Sequence, residues 1–163
     1  MKPKLYVESS IVSYLTAEPS GDLITAARQV LTQRWWSEKR FDYELYISEF
    51  VVSEVQAGDA PMAARRIDAL SGIAEIGLTE AAAQFATVLV DEGPLPRGAA
   101  LDALHIAVAV MGGIEYLLTW NFAHLANATI LANATIRSQI ERKCRSQGLE
   151  PPIICTPEEL LGE

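Results

Sequence analysis

Short apolar, β-prone runs alternate along this chain with stretches whose apolar residues recur at helical spacing. Leu5-Tyr6-Val7 is the first such run, and Ser9-Ser10 after it predicts a turn or a helix start. Pro19-Ser20-Gly21-Asp22 predicts a loop. Residues 23–39 then predict a helix with Ala26, Val30 and Leu31 on one side. Residues 44–47 predict a second strand. Ser48 can cap a helix from residue 49 to about 57, ended by Gly58, and Asp59-Ala60-Pro61 starts another with proline in its first turn. Residues 73–76 form a weak third strand, and Thr79 opens a helix to about 92 that Gly93-Pro94-Leu95-Pro96 breaks. A strongly apolar helix over 99–111 stops at Gly112-Gly113, and 116–119 predict a strand. A long helical stretch from about 123 to 147 follows, then a last strand over 153–155. Thr156-Pro157-Glu158-Glu159 reads as a capping box. Strands alternating with helices imply an α/β fold, a parallel sheet with helices on both faces.

Composition narrows the picture. The 163 residues are half hydrophobic and 21% charged, the profile of a globular chain, and no linker divides it, so one domain over 1–163 is expected. Thirteen Lys and Arg against 21 Asp and Glu give a net charge of −8. That excludes a general basic coat for nucleic acid, but not a nucleic-acid substrate, because a metal ion or a local arginine can bind phosphate on an acidic protein. No apolar run is long enough to span a membrane, so no membrane role is expected. Met1-Lys2-Pro3-Lys4 leads into too short an apolar run for a secretory signal. With Cys144 and Cys155 as the two cysteines, a cytoplasmic protein with free thiols is expected. One oddity is that 125–130 reads LANATI and 131–136 repeats it, a local duplication too short for a repeat fold. The glycosylation sequons inside it carry little weight without a secretion signal.

Candidate chemistry centres on acids near strand ends. Asp102 lies in a helix apolar nearly all round, where a carboxylate must be paired, protonated or metal-bound, although a first-turn Asp favoured by the helix dipole fits equally. Glu54 shares a helix face with Phe50 and Val51. It is either a metal ligand or an edge residue with a packed stem and a solvated tip. Glu8 and Asn121 follow directly on strands, where open parallel sheets bind ligands, and each alone also fits a polar loop residue. Together the four make three carboxylates and an amide, an oxygen set that suits Mg²⁺ or Mn²⁺. His105, one turn after Asp102, fits a general base, a residue orienting a carboxylate, or a hydrogen-bonded core histidine. His124 reads as a surface residue at a helix start. Neither has a cysteine partner at zinc spacing, and no dinucleotide, phosphate-loop or serine-hydrolase motif is present. Trp35-Trp36 reads as core plus partial surface, with an exposed Trp36 able to anchor a partner.

The segments 6–15, 48–54, 102–107 and 117–122, with the closing 153–160, resemble the acidic motifs of PIN domains, most nearly those of the VapC toxin type. The resemblance spans nearly the whole chain. It implies a three-layer α/β/α PIN-like fold, Mg²⁺- or Mn²⁺-dependent cleavage of RNA phosphodiesters, a cognate antitoxin and a homodimer. It carries the four acidic positions onto Glu8, Glu54, Asp102 and Asn121, with Thr119 as the hydroxyl residue before the fourth. PIN domains usually have Asp where this chain has Glu8, and commonly Asp where it has Asn121. The leading expectation is an endoribonuclease in which Glu8, Glu54 and Asp102 hold the metal, Asn121 positions water or a ligand, Thr119 orients its neighbours, and local cations such as Arg97 contact RNA. The alternative is a PIN-fold binding module with a weakened site, acting through partner contact. A hydrolase of another phosphoester is a third reading.

Overall fold

The computed structural model describes residues 1–120 and 130–162. Five strands, β1 (Lys4–Val7), β2 (Glu44–Ser48), β3 (Ala74–Ile76), β4 (Tyr116–Leu118) and β5 (Ile153–Cys155), form one parallel sheet in the order β3-β2-β1-β4-β5. In β1 Leu5, Tyr6 and Val7 are all fully buried, as expected of a central strand covered on both faces. Tyr6 lies opposite Tyr46 on one side and Leu117 on the other, and Val7 opposite Leu118.

The helices are α1 (Ser9–Thr16), α2 (Leu23–Glu38), α3 (Glu49–Val55), α4 (Ala60–Ala69), α5 (Glu80–Asp91), α6 (Ala100–Met111), α7 (Ile130–Ser146) and α8 (Pro157–Leu161). The chain steps from β1 to β2 to β3 in one direction, then crosses back to β4. Right-handed crossovers therefore put α1 to α4 on one face and α5 with α6 on the other. The packing agrees: α1 touches α2, α3 and α4, and α5 lies along α6. This is the expected three-layer arrangement.

The helix ends form as expected. Asp59 caps α4, with proline in its first turn. Thr156 and Glu159 form the capping box at α8. Gly113, at φ +67, carries the chain out of α6 in a conformation that favours glycine. No described helix is long and apolar enough to cross a membrane. Both cysteines are free and buried, and burial pushes their thiols up, to about 11 for Cys144 and about 12 for Cys155. Of the long helix expected from about 123, the portion before Ile130, with His124 and the first five residues of the first LANATI copy, lies outside the described residues.

Of the two readings of Ser9-Ser10, the helix start holds: they open a two-turn helix capped by Glu8, whose carboxylate accepts from Ser10 N at 3.0 Å. Two expectations are corrected. On α2 the inward face is not Ala26, Val30 and Leu31. Val30 is 62% exposed, while Gln29, Thr32 and Trp35 are buried. Trp35 sets this rotation: it is fully buried, with its ring centroid 5.9 Å from that of Tyr43. The polar pair goes inside because it is hydrogen-bonded there. Gln29 takes Ser20 N and gives to Glu18 O, each at 2.9 Å, and Thr32 Oγ1 gives to Arg28 O and accepts from Trp120 Nε1. Ser48 stands at the N-cap of α3, but its hydroxyl does not cap; it is turned to Tyr6 instead. Trp36 is half-buried, with the Arg40 guanidinium 4.4 Å over its ring.

Candidate metal centre

The strand order reverses between β1 and β4, and the crevice at the carboxyl ends of such strands is where open α/β sheets bind ligands. Glu8 leaves β1 there and Thr119 leaves β4. Their backbones stay paired one step beyond the strands, Glu8 N donating to Leu118 O at 3.1 Å.

Glu8 is 6% exposed, and a buried carboxylate needs donors. It has four. Ser9 Oγ gives to Oε1 at 2.8 Å, while Oε2 takes Ser10 N at 3.0 Å, the Ser10 hydroxyl, and Thr119 Oγ1 at 2.8 Å. Ser10 Oγ in turn accepts from Trp120 N at 2.9 Å. The acid is thus locked between the first turn of α1 and the end of β4.

Glu54 comes from the last turn of α3 and reaches the same place. Its Oε1 lies 2.6 Å from His105 Nε2, with the Glu54 side chain 31% exposed and that of His105 4%. Burial alone would raise the Glu54 carboxyl, but hydrogen bonds from His105 and Ser9 outweigh it and hold the carboxyl below its ordinary range. Behind His105 the chain of contacts continues inward. His105 Nδ1 is 2.6 Å from the Tyr6 hydroxyl, which is 2.6 Å from Ser48 Oγ. Burial, with the Glu8 and Glu54 charges, pushes the Tyr6 hydroxyl well above its ordinary value against the opposing Ser48 bond, so Tyr6 keeps its proton.

Ligand atoms of Glu8, Glu54 and His105 lie within 4.8 Å of one another. That spacing lets one small cation bridge Glu8 and Glu54 with His105 beside them, and two carboxylates so close repel unless something positive sits between or beside them. Asp102 is not in that group. It is half-buried in the first turn of α6, one turn before His105, so its side chain starts on the same side of the helix. Thr119 is buried and serves Glu8, as described. Asn121 lies outside the described residues, and Arg97 is exposed just before α6.

Residue-by-residue reading of the sequence left out Tyr6, Ser9, Ser10, Ser48 and Trp120. The one local signal was Ser9-Ser10 directly after Glu8, two hydroxyls in position to hold a carboxylate. Trp120 also joins a second cluster: Tyr14 packs edge-on to it, and the Arg28 guanidinium lies 5.4 Å over its ring.

No protein-family model matches the sequence, and no curated protein matches it. Solved structures do. VapC20 of Mycobacterium tuberculosis, described as a toxin cleaving the sarcin-ricin loop, is 21% identical with a TM-score of 0.53, over 77% of this chain and 96% of that one. VapBC2 of Rickettsia felis, bound to a DNA fragment from its promoter, is 14% identical with a TM-score of 0.53, over 94% of this chain and 98% of that one. The chain therefore has the PIN-like α/β fold of these VapC structures, with Glu8, Glu54 and Thr119 gathered where its strand order reverses.

Proposed function

We propose that this protein is a Mg²⁺- or Mn²⁺-dependent endoribonuclease, the toxin of a toxin-antitoxin pair, built as one domain over 1–163. The observation that carries the reading is the convergence of Glu8 and Glu54, with His105, inside 4.8 Å at the switch point of a fold shared with a described RNA-cleaving toxin. Glu8, Glu54 and Asp102 would hold the cation, with Asn121 adding an amide oxygen. When bound, it neutralises charge on the phosphodiester and makes a water more acidic. The chain's own residues do the rest. Ser9, Ser10 and Thr119 fix the direction of the Glu8 lone pairs, and Glu54 keeps its charge. On so acidic a surface RNA is drawn in by local cations, Arg97 beside α6 and Arg28 in the Trp120 cluster.

Two apolar surfaces support the partners. Leu23, Ile24 and Val30 are exposed on α2, at 86%, 67% and 62%, a face suited to an antitoxin. A groove of about 380 Å³ between α5 and α6, lined by Ala83, Ala86, Val90, Ala100 and Leu104, suits a second copy of the chain. Free, buried thiols fit a reducing cytoplasm.

The test is metal removal. Purified protein is expected to cut RNA with Mn²⁺ or Mg²⁺, to stop on addition of EDTA, and to resume when the cation is restored. Cleavage that persists undiminished in EDTA would sink the metal-dependent reading.

The binding-module reading is favoured by Asn121, an amide where PIN domains commonly carry a fourth acid. Asn121→Asp is expected to tighten Mn²⁺ binding in calorimetry, because ligand charge tunes hard-cation affinity. Equal affinities would remove Asn121 from the site. A wild type that binds no Mn²⁺ at about millimolar concentration, the weak end for such sites, would favour the module.

A further inference from the structure

The deepest feature of the site is a line of side chains running from the sheet interior to Glu54. Ser48 and Tyr6 are fully buried and His105 is 3% exposed, and each successive separation is 2.6 Å. Buried polar groups are costly unless every one is satisfied, and with one proton on the imidazole the donors and acceptors can be ordered in one way that satisfies all of them. Glu54, an ionised carboxylate, can only accept, so His105 Nε2 carries a hydrogen and gives it to Oε1. With that single ring proton on Nε2, Nδ1 is an acceptor, and it faces the hydroxyl of Tyr6, which keeps its proton. Tyr6 oxygen, having given its hydrogen to Nδ1, accepts from Ser48.

Both ring nitrogens are thereby occupied. Ligation of a cation by Nε2 would break the bond to Glu54, and Nδ1 is covered by Tyr6. Phe50 and Tyr6 pack edge-on against the ring, at 6.1 and 5.8 Å between centroids, which fixes its plane. Glu54 needs such a hold more than Glu8 does. Glu8 is tied by four donors on its own and neighbouring segments, whereas Glu54 sits at the end of a seven-residue helix, part-exposed, facing a like charge. Left alone it would swing outward.

We infer that His105 is a positioning residue, held by Tyr6 and Ser48 in the Nε2–H tautomer, that keeps Glu54 turned toward Glu8 so the two carboxylates present one cation site. The inference rests on the metal reading above, and its test separates the two. With only two histidines in the sequence, ¹⁵N imidazole spectra of the metal-free protein are simple to assign. The His105 ring is expected as the Nε2–H tautomer, and an Nδ1–H ring would overturn the inference whatever the metal does. Mn²⁺ binding then divides the roles. His105→Ala is expected to weaken Mn²⁺ affinity about 10–100-fold, the range for partners behind a ligand, with kcat at saturating Mn²⁺ within a few-fold of wild type. His105→Gln, whose amide can still donate to Glu54, is expected to recover most of that affinity.

A Gln variant as weak as the Ala variant would overturn the inference. So would ¹⁴N coupling from the imidazole in pulsed EPR of the Mn²⁺-loaded wild type, which would make His105 a ligand. Those two wild-type spectra keep the inference falsifiable if His105→Ala does not fold. Failure of the wild type to bind Mn²⁺ at all is the separate signature that the metal reading itself is wrong.

Discussion

Glu8→Gln and Asp102→Ala proteins are each expected to fold and to lose about 10²-fold or more of metal-dependent RNA cleavage, since a direct ligand should cost at least as much as the partners behind it. Glu8→Gln is the sharper of the two. The glutamine oxygen can keep the Oε2 position, where Ser10 and Thr119 donate, and its NH₂ can face Ser9, whose hydroxyl can turn to accept. Shape and most hydrogen bonds survive while the charge goes. Glu8→Ala is a harsher change, because it also strips the cap from α1, worth about 0.5–2 kcal/mol. Asp102→Ala also removes a first-turn acid that the dipole of α6 favours, so a small fall in melting temperature, equivalent to about 0.3–1 kcal/mol, is expected. Cleavage assays on folded protein, with circular dichroism as the control, decide the matter. Undiminished cleavage by either variant would remove that residue from the chemistry.

Trp35→Ala is expected to destabilise the protein by about 3–5 kcal/mol, the cost of emptying a buried aromatic site. Trp35 is fully buried against Trp36 and Tyr43, under the face of α2 that covers the sheet. Its Nε1 has no hydrogen-bond partner among the described residues, so Trp35→Phe discards an unpaired polar atom together with part of the packing. The Phe variant is expected to cost well under half as much. Urea unfolding gives both numbers. A loss below about 1.5 kcal/mol for Trp35→Ala would mean that the helix re-seats on the sheet without it.

Sequence periodicity was enough for the strand–helix alternation because β1, β4 and α6 are buried on nearly all sides and read as unbroken apolar runs. It failed on α2 for a physical reason. The inward stripe there is Gln29, Thr32 and Trp35, two polar residues made tolerable by hydrogen bonds to groups that are distant in sequence or belong to the backbone. No hydrophobic count sees such bonds. The same limit applies at the site. Glu54 and Asp102 stand out as acids in apolar company and Glu8 as the acid that ends a strand, whereas the part played by Tyr6 depends on His105, 99 positions later, and that of Ser48 depends on Tyr6. Ser48 illustrates the point most simply: its place predicts a helix cap, and a tyrosine across the sheet takes its hydroxyl instead.

The reversal of strand order between β1 and β4 also governs when the site can exist during synthesis. Glu8 is made almost at once, yet the Thr119 hydroxyl that holds it follows 111 residues later, on the strand that must pair beside β1. Closing so long a loop is slow and cannot begin before β4 has left the ribosome. A nascent chain therefore carries the first two acids as unconnected side chains, with no fixed cation site between them. Under the ribonuclease activity proposed above, this order of synthesis leaves the cation site unassembled until β4 has been made and paired beside β1.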